Sequence, residues 1–383
     1  MEKRFVYLDY NSTTPVANEV VESMLNVIST GNPSSPHWFG REAREYLDSS
    51  REKIAQILKV NTHEIIFTSG STEGNNTVIK GIAFYEIKKN RTPYIISTKV
   101  EHSSVIRPLE FVREIGGKVE LLDVDKYGIP DIDQLLKILK KNTKPSLISV
   151  IHVNNETGVI SPLEEIAKIA KEYGILIHTD ITQSIGKMRI DLSNVDFATF
   201  SGHKIYGPKG IGVLYAKLGS PLEPLIHGGK QEDGLRAGTQ NVPGAVGIAK
   251  ALELCSINED LERLKKLQYR FEEEIKKTYN VKINGHPKLR LPTTSNITFF
   301  GIEGETLLIN LDLEGIAVST GSACLAESKT PSHVLIAMGL TPEEAKSSIR
   351  FSFGRYTSEE DISYTIDKLS NIIKRISPRK THN

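Results

Sequence analysis

Short apolar segments rich in β-branched residues alternate with longer segments of helical period between about residues 16 and 255. This alternation is typical of βαβ units and predicts an α/β domain around a largely parallel sheet. The predicted strands are EIIFTS, TPYIIST, KVELLDV, SLISVIHV, ILIHTD, FATFSG and IGVLYA. Several of them end in, or soon lead to, a polar residue: Ser69, His102, Asn155 and Asp180. Because ligands of open α/β sheets bind outside the carboxyl ends of the strands, these positions predict one pocket.

The pattern changes near Asp260, where large apolar residues recur every three or four positions over 261–275 among Lys and Glu. A long amphipathic helix is predicted there as a connector. After it, strand-like NITFF, IAVST and SIRFSFG alternate with helical segments, which predicts an α+β unit. We therefore expect a large domain over 16–258 with a mainly parallel sheet of seven strands between helices, and a small domain formed by 1–15 and 259–383.

Composition and charge exclude several classes of protein. The 383 residues are 39% hydrophobic and 25% charged, with a formal net charge of +1, so no field gathers nucleic acid or anionic lipid nonspecifically. No apolar segment is long enough to span a bilayer, and MEKRFVYLDYN has no apolar core after its basic residues, so we expect a cytoplasmic protein. Two cysteines form neither a disulfide framework nor a metal cage by themselves, and no metal is expected.

The segment TSGSTEGNN, residues 68–76 and called here the phosphate loop, follows a predicted strand and precedes a predicted helix. Gly70, Ser71 and Thr72 would offer backbone and hydroxyl donors at the positive end of that helix, which suits a phosphate group. The alternative is an ordinary N-cap and turn.

Asp180 closes the apolar strand ILIHTD with no cation near it in sequence. A buried carboxylate needs a partner, and a protonated pyridine nitrogen would be one. Such a ring would withdraw electrons from a substrate carbanion, as pyridoxal phosphate does. The alternative is an aspartate that caps a loop.

Lys204 lies in SGHKIYGPKGIG, residues 201–212, beside an imidazole and directly after a predicted strand. A lysine that forms a Schiff base needs an enclosed site of this kind, whereas the alternative is an exposed loop lysine. The phosphate loop, Asp180 and Lys204 together favour a pyridoxal-phosphate enzyme with its cofactor on Lys204.

Nine segments in one order resemble the cysteine desulfurase family of class V, fold-type I pyridoxal-phosphate enzymes, and the match runs nearly end to end. They are GNPSSPH, TSGSTEGNN, EHSSV, HVNNETG, HTDITQS, SGHKIYGPKG, RAGTQN, STGSACLAES and RFSFGR. The resemblance implies a fold-type I architecture and conversion of L-cysteine to L-alanine, with the sulfur kept on an enzyme cysteine as a persulfide.

The resemblance also implies roles for individual residues around the cofactor. Lys204 would hold the cofactor, Asp180 would pair with its ring nitrogen, Gln183 would donate to its phenolic oxygen, and His102 would stack on the ring and move protons. The implied phosphate ligands are Ser71, Thr72, Ser201 and His203.

Other implied roles concern the substrate and a second subunit. Arg350 would grip the substrate carboxylate, a task that suits a bidentate guanidinium, and Asn155 would lie near that carboxylate and the cofactor. Thr239 would reach the phosphate site of the neighbouring subunit, so the family implies a homodimer. DYNSTTP departs from the family pattern at Asn11 and Ser12, and we expect these departures to leave the roles intact.

The two cysteines differ in their surroundings. Cys324 lies in a small, polar, proline-terminated segment, which favours a reactive thiol, whereas Cys255 follows the apolar helical ALEL and is predicted to be buried. Cys324 is therefore the predicted sulfur acceptor. The segment 319–333 resembles the family form with the longer cysteine loop, which implies delivery of sulfur to iron-sulfur scaffold proteins or tRNA-thiolation enzymes.

Other functions remain open on the sequence. A selenocysteine lyase or another β-elimination enzyme would keep the same cofactor site and depend less on Cys324. A docking protein that has lost turnover is a further alternative, although Lys204, Asp180, His102 and Arg350 are all present. An aminotransferase has no use for the cysteine loop.

Overall fold

A computed structural model describes residues 4–141, 144–255, 257–321 and 330–376. The strands are β1 (Val6–Tyr7), β2 (Ile65–Thr68), β3 (Tyr94–Thr98), β4 (Lys118–Leu122), β5 (Leu147–Ile151), β6 (Leu176–Asp180), β7 (Phe197–Ser201), β8 (Gly212–Ala216), β9 (Val281–Asn284), β10 (Thr294–Phe299), β11 (Ile316–Ala317) and β12 (Ser348–Ser352). The helices are α1 (Asn18–Leu25), α2 (Trp38–Leu58), α3 (Ser71–Lys88), α4 (Ser103–Glu114), α5 (Ile132–Leu139), α6 (Leu163–Glu172), α7 (Val242–Glu253), α8 (Ile257–Thr278), α9 (Gly304–Leu313), α10 (His333–Ala337), α11 (Pro342–Lys346) and α12 (Glu359–Ile376).

Seven strands form the main sheet in the order β2-β8-β7-β6-β5-β3-β4. β8 is antiparallel to both of its neighbours, and the remaining pairs are parallel. Every residue of β3, β5 and β7 is buried, as expected for a sheet covered on both faces. The seven predicted strands and the mainly parallel α/β fold are confirmed. The register aligns Asp180 with Ile151 and Thr199, so the carboxyl ends of three strands meet at one edge.

Two glycines let the phosphate loop close onto this sheet. A Cβ at Gly74 would lie 2.8 Å from Cγ2 of Thr199, and one at Gly212 would lie 2.5 Å from the Cα of Gly70. Larger residues would therefore push α3 away from β7 and the loop away from β8. The close approach places the N-terminus of α3 at the edge where Asp180 ends its strand.

The second part of the chain contains an antiparallel sheet in the order β12-β10-β9, and β1 pairs in parallel with β11. Its core includes Phe271 of α8 and Phe351 of β12, whose ring centroids lie 4.9 Å apart. The predicted helix over 261–275 is confirmed as part of α8. It connects the two parts of the chain and also packs into this core. β9 and α9 were not predicted from the sequence.

No helix in the described ranges is long and apolar enough to cross a membrane. The same ranges contain no group of three or more His, Cys, Asp or Glu side chains that would hold a metal ion.

Candidate active site

One cavity of about 220 Å³ lies at the carboxyl edge of the main sheet. Within the described ranges, every predicted site residue except Thr239 lines it. These are Ser71, Thr72, His102, Asn155, Asp180, Gln183, Ser201, His203, Lys204 and Arg350. Of the four strand-end residues from which one pocket was predicted, His102, Asn155 and Asp180 share this cavity and Ser69 does not line it. The lining comes from both parts of the chain.

One described residue among the predictions, Thr239, does not line this cavity. Thr239 is exposed on the segment between the short 3₁₀ turn Gln231–Gly234 and α7. Cys324 lies outside the described residues.

Asp180 ends β6 with its side chain almost completely buried. One carboxylate oxygen accepts a hydrogen bond from the Asn75 side-chain amide (2.8 Å), and the other accepts from the Thr182 backbone N–H (2.9 Å). The bond from Thr182 is a local loop cap, so the capping interpretation accounts for one oxygen. No ion pair joins Asp180 to a cationic side chain in the described ranges. The carboxylate is thus available to a cationic group in the cavity.

Lys204 ends a 3₁₀ turn that directly follows β7. Its Nζ donates hydrogen bonds to the backbone carbonyls of Asn11 (2.6 Å) and Ser12 (2.5 Å), and the side chain is half-buried against the cavity. Lys204 is therefore not a fully exposed loop lysine. The contacts of Lys204 with Asn11 and Ser12 were not predicted from the sequence.

His102 is the N-cap of α4 and borders the same cavity. Its Nδ1 accepts from the Ser104 backbone N–H (3.2 Å) and lies 2.8 Å from the Ser104 Oγ. Burial lowers the pKa of the ring below its ordinary value, and the charge of Asp180 offsets part of this effect. His102 is therefore predominantly neutral at neutral pH.

The phosphate loop leads into the N-terminus of α3, which begins at Ser71. The N-cap residue Gly70 offers no side-chain cap, and Ser71 pairs with Ser201: its N–H donates to the Ser201 Oγ (2.7 Å), which in turn donates to the Ser71 Oγ (3.0 Å). His203 Nδ1 lies 3.1 Å from Thr13 Oγ1, and burial lowers the pKa of His203 to about 4. The hydroxyls and the helix end suit an anion better than they suit a simple cap.

Arg350 lies in β12 and is buried, with only 1% of its surface exposed. Its guanidinium donates to Asp9 Oδ1 (2.8 Å) and to the Asn155 backbone carbonyl (3.1 Å). The Asp9 contact was not predicted from the sequence. This hydrogen bond connects Asp9, which follows β1, to Arg350 of β12.

Gln183 is held at both ends of its amide. Its Nε2 donates to the Asn11 carbonyl (3.0 Å), and its Oε1 accepts from Lys187 Nζ (2.9 Å). Burial, together with the positive charge of Lys204, lowers the pKa of Lys187 to about 7. The amide therefore presents its NH₂ group toward the cavity side.

Three buried polar atoms that belong to cavity-lining residues have no hydrogen-bond partner in the described ranges: Asn11 Oδ1, Thr182 Oγ1 and Arg350 Nε. Unpartnered buried polar atoms are costly, and a polar ligand in the cavity is one way to satisfy these three. A ring with one cationic nitrogen and one phosphate fits the donor set, because Asp180 offers the anion and the start of α3 offers the anion site.

Comparison with known proteins agrees with this geometry. The model of the "Aminotransferase class-V" family matches residues 6–365. The chain is 48% identical over 388 aligned residues to "Cysteine desulfurase IscS" of Dictyoglomus turgidum, with 99% of this chain and 98% of that protein covered. It is 40% identical to "Cysteine desulfurase IscS 1" of Archaeoglobus fulgidus, with 97% of each chain covered.

Solved structures give the same result. A structure titled "NIFS-LIKE PROTEIN" superposes with a TM-score of 0.90 at 37% identity, covering 97% of this chain and 100% of that one. A NifS-like protein from Rickettsia africae superposes with a TM-score of 0.87 at 35% identity, covering the same shares.

The chain belongs to the class-V aminotransferase family, whose members in this branch use pyridoxal phosphate. Within it the protein is a cysteine desulfurase, which takes L-cysteine as substrate and passes its sulfur to acceptors. The alternative of a selenocysteine lyase is not favoured.

Proposed function

We propose that the cavity at the carboxyl edge of the sheet holds pyridoxal phosphate in a fixed orientation, with Lys204 as the covalent attachment. The observation that carries this proposal is the buried Asp180 carboxylate, which has hydrogen bonds but no ion pair in the described ranges and borders the same cavity as Lys204. When bound, the cofactor supplies an electron-withdrawing ring that stabilises negative charge on the substrate. Asp180 would pair with the ring nitrogen and favour its protonated form, and Gln183 would donate to the phenolic oxygen.

The phosphate group would lie at the N-terminus of α3. Ser71, Thr72, Ser201 and His203 border that end of the cavity and offer hydroxyl, imidazole and backbone donors. The hydroxyl oxygens of Ser71 and Ser201 lie 3.0 Å apart, which supports binding of both to one group. A phosphate there would gain from both the free N–H groups and the helix dipole.

Arg350 and Asn155 would hold the substrate. One terminal nitrogen of the Arg350 guanidinium donates to Asp9. Nε of the same planar group has no partner in the described ranges, so it can donate a hydrogen bond to a substrate carboxylate. The Asn155 carbonyl already orients Arg350, which leaves the Asn155 amide to contact the substrate. Lys204, released as an amine, or His102 would then accept the proton from the substrate α-carbon.

Replacing Arg350 by lysine tests this assignment. Lysine keeps the charge but lacks the planar fork, so we expect KM for L-cysteine to rise by about 10- to 100-fold, equivalent to about 1.5–3 kcal/mol for a charged hydrogen bond. The matched control is Arg355→Lys, because Arg355 lies just beyond β12 and bonds to the Leu254 carbonyl, outside this cavity. Steady-state kinetics of alanine formation measure both. An unchanged KM in Arg350→Lys would refute the proposed grip.

Cys324 would receive the sulfur. Its thiolate attacks the substrate sulfur, the bond between that sulfur and the β-carbon breaks with its electrons left on carbon, and protonation of carbon gives alanine. The sulfur stays on Cys324 as a persulfide. The resemblance of segment 319–333 to the longer-loop form supports iron-sulfur scaffold proteins or tRNA-thiolation enzymes as acceptors. A cysteine that carries sulfur, such as Cys324, must stay a free thiol between turnovers, which suits the reducing cytoplasm.

We also propose a homodimer in which Thr239 completes the phosphate site of the partner subunit, and a division into domains over 16–258 and over 1–15 with 259–383. Thr239 is exposed and absent from its own cavity, as this role requires. α7 begins just after it and packs on α1 and α2. Large apolar side chains are exposed near the end of α1 and at the start of α2, and we propose that the second subunit covers this surface. They are Leu25, Ile28, Trp38 and Phe39.

A mixture of two defective variants tests the shared site. Thr239→Val should bind the cofactor weakly, and Lys204→Ala should be inactive. A heterodimer of the two has one site with both Lys204 and a partner's Thr239, so mixing should give more alanine formation than the sum of the separate variants. The control mixes Thr239→Val with the double variant Lys204→Ala/Thr239→Val, which cannot restore a site. Equal activity in both mixtures would show that Thr239 does not act across subunits.

A further inference from the structure

A chain of buried hydrogen bonds connects Asp180 to His102 through two residues that were given no role from the sequence. Asn75 Nδ2 lies 2.8 Å from Asp180 Oδ2 and 2.8 Å from the Ser104 Oγ, and that Oγ lies 2.8 Å from Nδ1 of His102. Asn75 has no exposed surface and Ser104 only 6%. The chain therefore runs through the interior, out of contact with bulk water.

The charge of Asp180 fixes which way the Asn75 amide points. An ionised carboxylate only accepts hydrogen bonds, so the NH₂ group of Asn75 must face it. The amide oxygen then faces Thr199, whose Oγ1 donates to it at 2.5 Å. The second hydrogen of the NH₂ group is left for the Ser104 Oγ. Every donor and acceptor of this side chain is thus used in one orientation only.

The orientation of Asn75 in turn fixes the hydrogen of Ser104. Because the Ser104 Oγ accepts from Asn75, its own hydrogen points to Nδ1 of His102. The Ser104 backbone N–H donates to the same nitrogen. With its lone pair occupied by these donors, Nδ1 carries no hydrogen, and the neutral ring carries its hydrogen on Nε2.

The groups that face His102 come from several elements. They are Asp180 of β6, Lys204 after β7, His333 of α10 and Arg350 of β12. Glu101, the preceding residue, is completely buried, and burial raises the pKa of its carboxyl to about 8. The three cationic or potentially cationic neighbours and burial outweigh Asp180, so the neutral ring persists at neutral pH. Which nitrogen holds the hydrogen is therefore the property that decides what His102 does.

We propose that Asn75 and Ser104 are positioning residues that hold His102 as the tautomer with hydrogen on Nε2, so that His102 acts as a hydrogen-bond donor toward the cavity. This inference rests on the proposed roles of His102, Asp180 and Lys204. A neutral ring in this tautomer has no free lone pair on Nε2, so it does not take the proton from the substrate α-carbon. The Cα–H bond breaks with its proton passing to the Lys204 amine and its electron pair remaining on the substrate.

Nitrogen NMR of holoenzyme labelled with [¹⁵N]histidine measures the tautomer directly. The spectrum of His102→Gln identifies the resonances of His102 by their absence. We expect Nδ1 of the wild-type ring to be unprotonated and Nε2 to be protonated. Ser104→Ala should raise the pKa of His102 by about 0.5–1 unit, since the lost hydroxyl donor stabilises the neutral ring. Asn75→Ala should raise the fraction with hydrogen on Nδ1.

The neighbouring serine provides the matched control. Ser103 precedes Ser104 in α4, and its hydroxyl makes no hydrogen bond in the described ranges, so Ser103→Ala should leave the pKa of His102 unchanged. A wild-type ring protonated on Nδ1 would overturn the proposal. So would an unchanged titration of His102 in folded Ser104→Ala.

Exchange of the substrate α-hydrogen with deuterium oxide gives an independent measurement. Glutamine can donate a hydrogen bond but cannot act as a base, so His102→Gln should keep the exchange rate of L-alanine within about tenfold of wild type, whereas His102→Ala should lose more. An equal loss in both variants would assign the base to His102 and overturn the proposal. Alanine formation by the wild-type preparation is measured alongside, so a failure of the desulfurase assignment would be recognised separately.

Discussion

Cys324→Ala abolishes the transfer of sulfur from L-cysteine to the protein while the cofactor remains bound. The substitution removes the thiolate that attacks the substrate sulfur, and it leaves Asp180, Lys204 and Arg350 unchanged. We therefore expect the absorbance of the lysine-linked cofactor to persist. Alanine formation should fall to background, and the mass of the peptide that contains position 324 should show no added sulfur after incubation with L-cysteine.

Cys255 supplies the control for this experiment. Its thiol donates to the Ala251 carbonyl (3.3 Å), and burial raises its pKa to about 11, so little thiolate is available at neutral pH. Cys255→Ala should keep both alanine formation and the persulfide on Cys324. Retention of desulfurase activity by Cys324→Ala would remove Cys324 from the mechanism. A persulfide found on Cys255 in the wild type would reassign the acceptor.

The strands and the location of the cavity follow from local patterns in the sequence. Several strands of the main sheet are apolar runs that end in, or soon lead to, a polar residue, and parallel strands bring such ends to one edge. Asp180 is the last residue of β6 and Lys204 ends the short turn after β7, so their proximity was predictable. The role of Lys204 toward the cofactor is a proposal that Lys204→Ala tests.

The contacts that surround these residues were not predictable in the same way. Asp9 reaches Arg350, and the Asn11 carbonyl accepts from Lys204, because β1 pairs with β11 and brings the start of the chain to the cavity. β1 and β11 have two residues each, too short to give a periodic pattern. The departure from the family pattern at Asn11 and Ser12 thus falls on residues that bond to Lys204 through backbone carbonyls, which any side chain retains.

Asn75 illustrates a different limit. It lies within the phosphate loop, whose glycines and hydroxyls drew the prediction toward an anion. Its three hydrogen bonds go to Ser104, Asp180 and Thr199, which follow it at widely separated positions of the chain. No local spacing encodes such a set. Only the register of β6 and β7 beside α3 brings these groups together.

Lys204→Ala should eliminate the covalent attachment of the cofactor and lower the rate of alanine formation by at least about 10²- to 10⁴-fold, the usual contribution of a positioned acid or base alone. The reason is that no other described lysine borders this cavity. Borohydride reduction followed by peptide mass measurement should label Lys204 in the wild type and no lysine in the variant. Absorbance of the lysine-linked cofactor should disappear with it.

The surroundings of Lys204 offer both a control and a competitor. Lys209 is exposed a few residues further along, so Lys209→Ala should keep the label and the activity. Lys187 is the competitor, because burial lowers its pKa to about 7 and its Nζ lies 2.9 Å from the Gln183 amide oxygen. A reducible adduct on Lys187 in Lys204→Ala would show that a lowered pKa is enough for attachment. The absence of this adduct would show that Lys204 is selected by position, since Lys204 is the one lysine among the described residues that shares the cavity with Asp180.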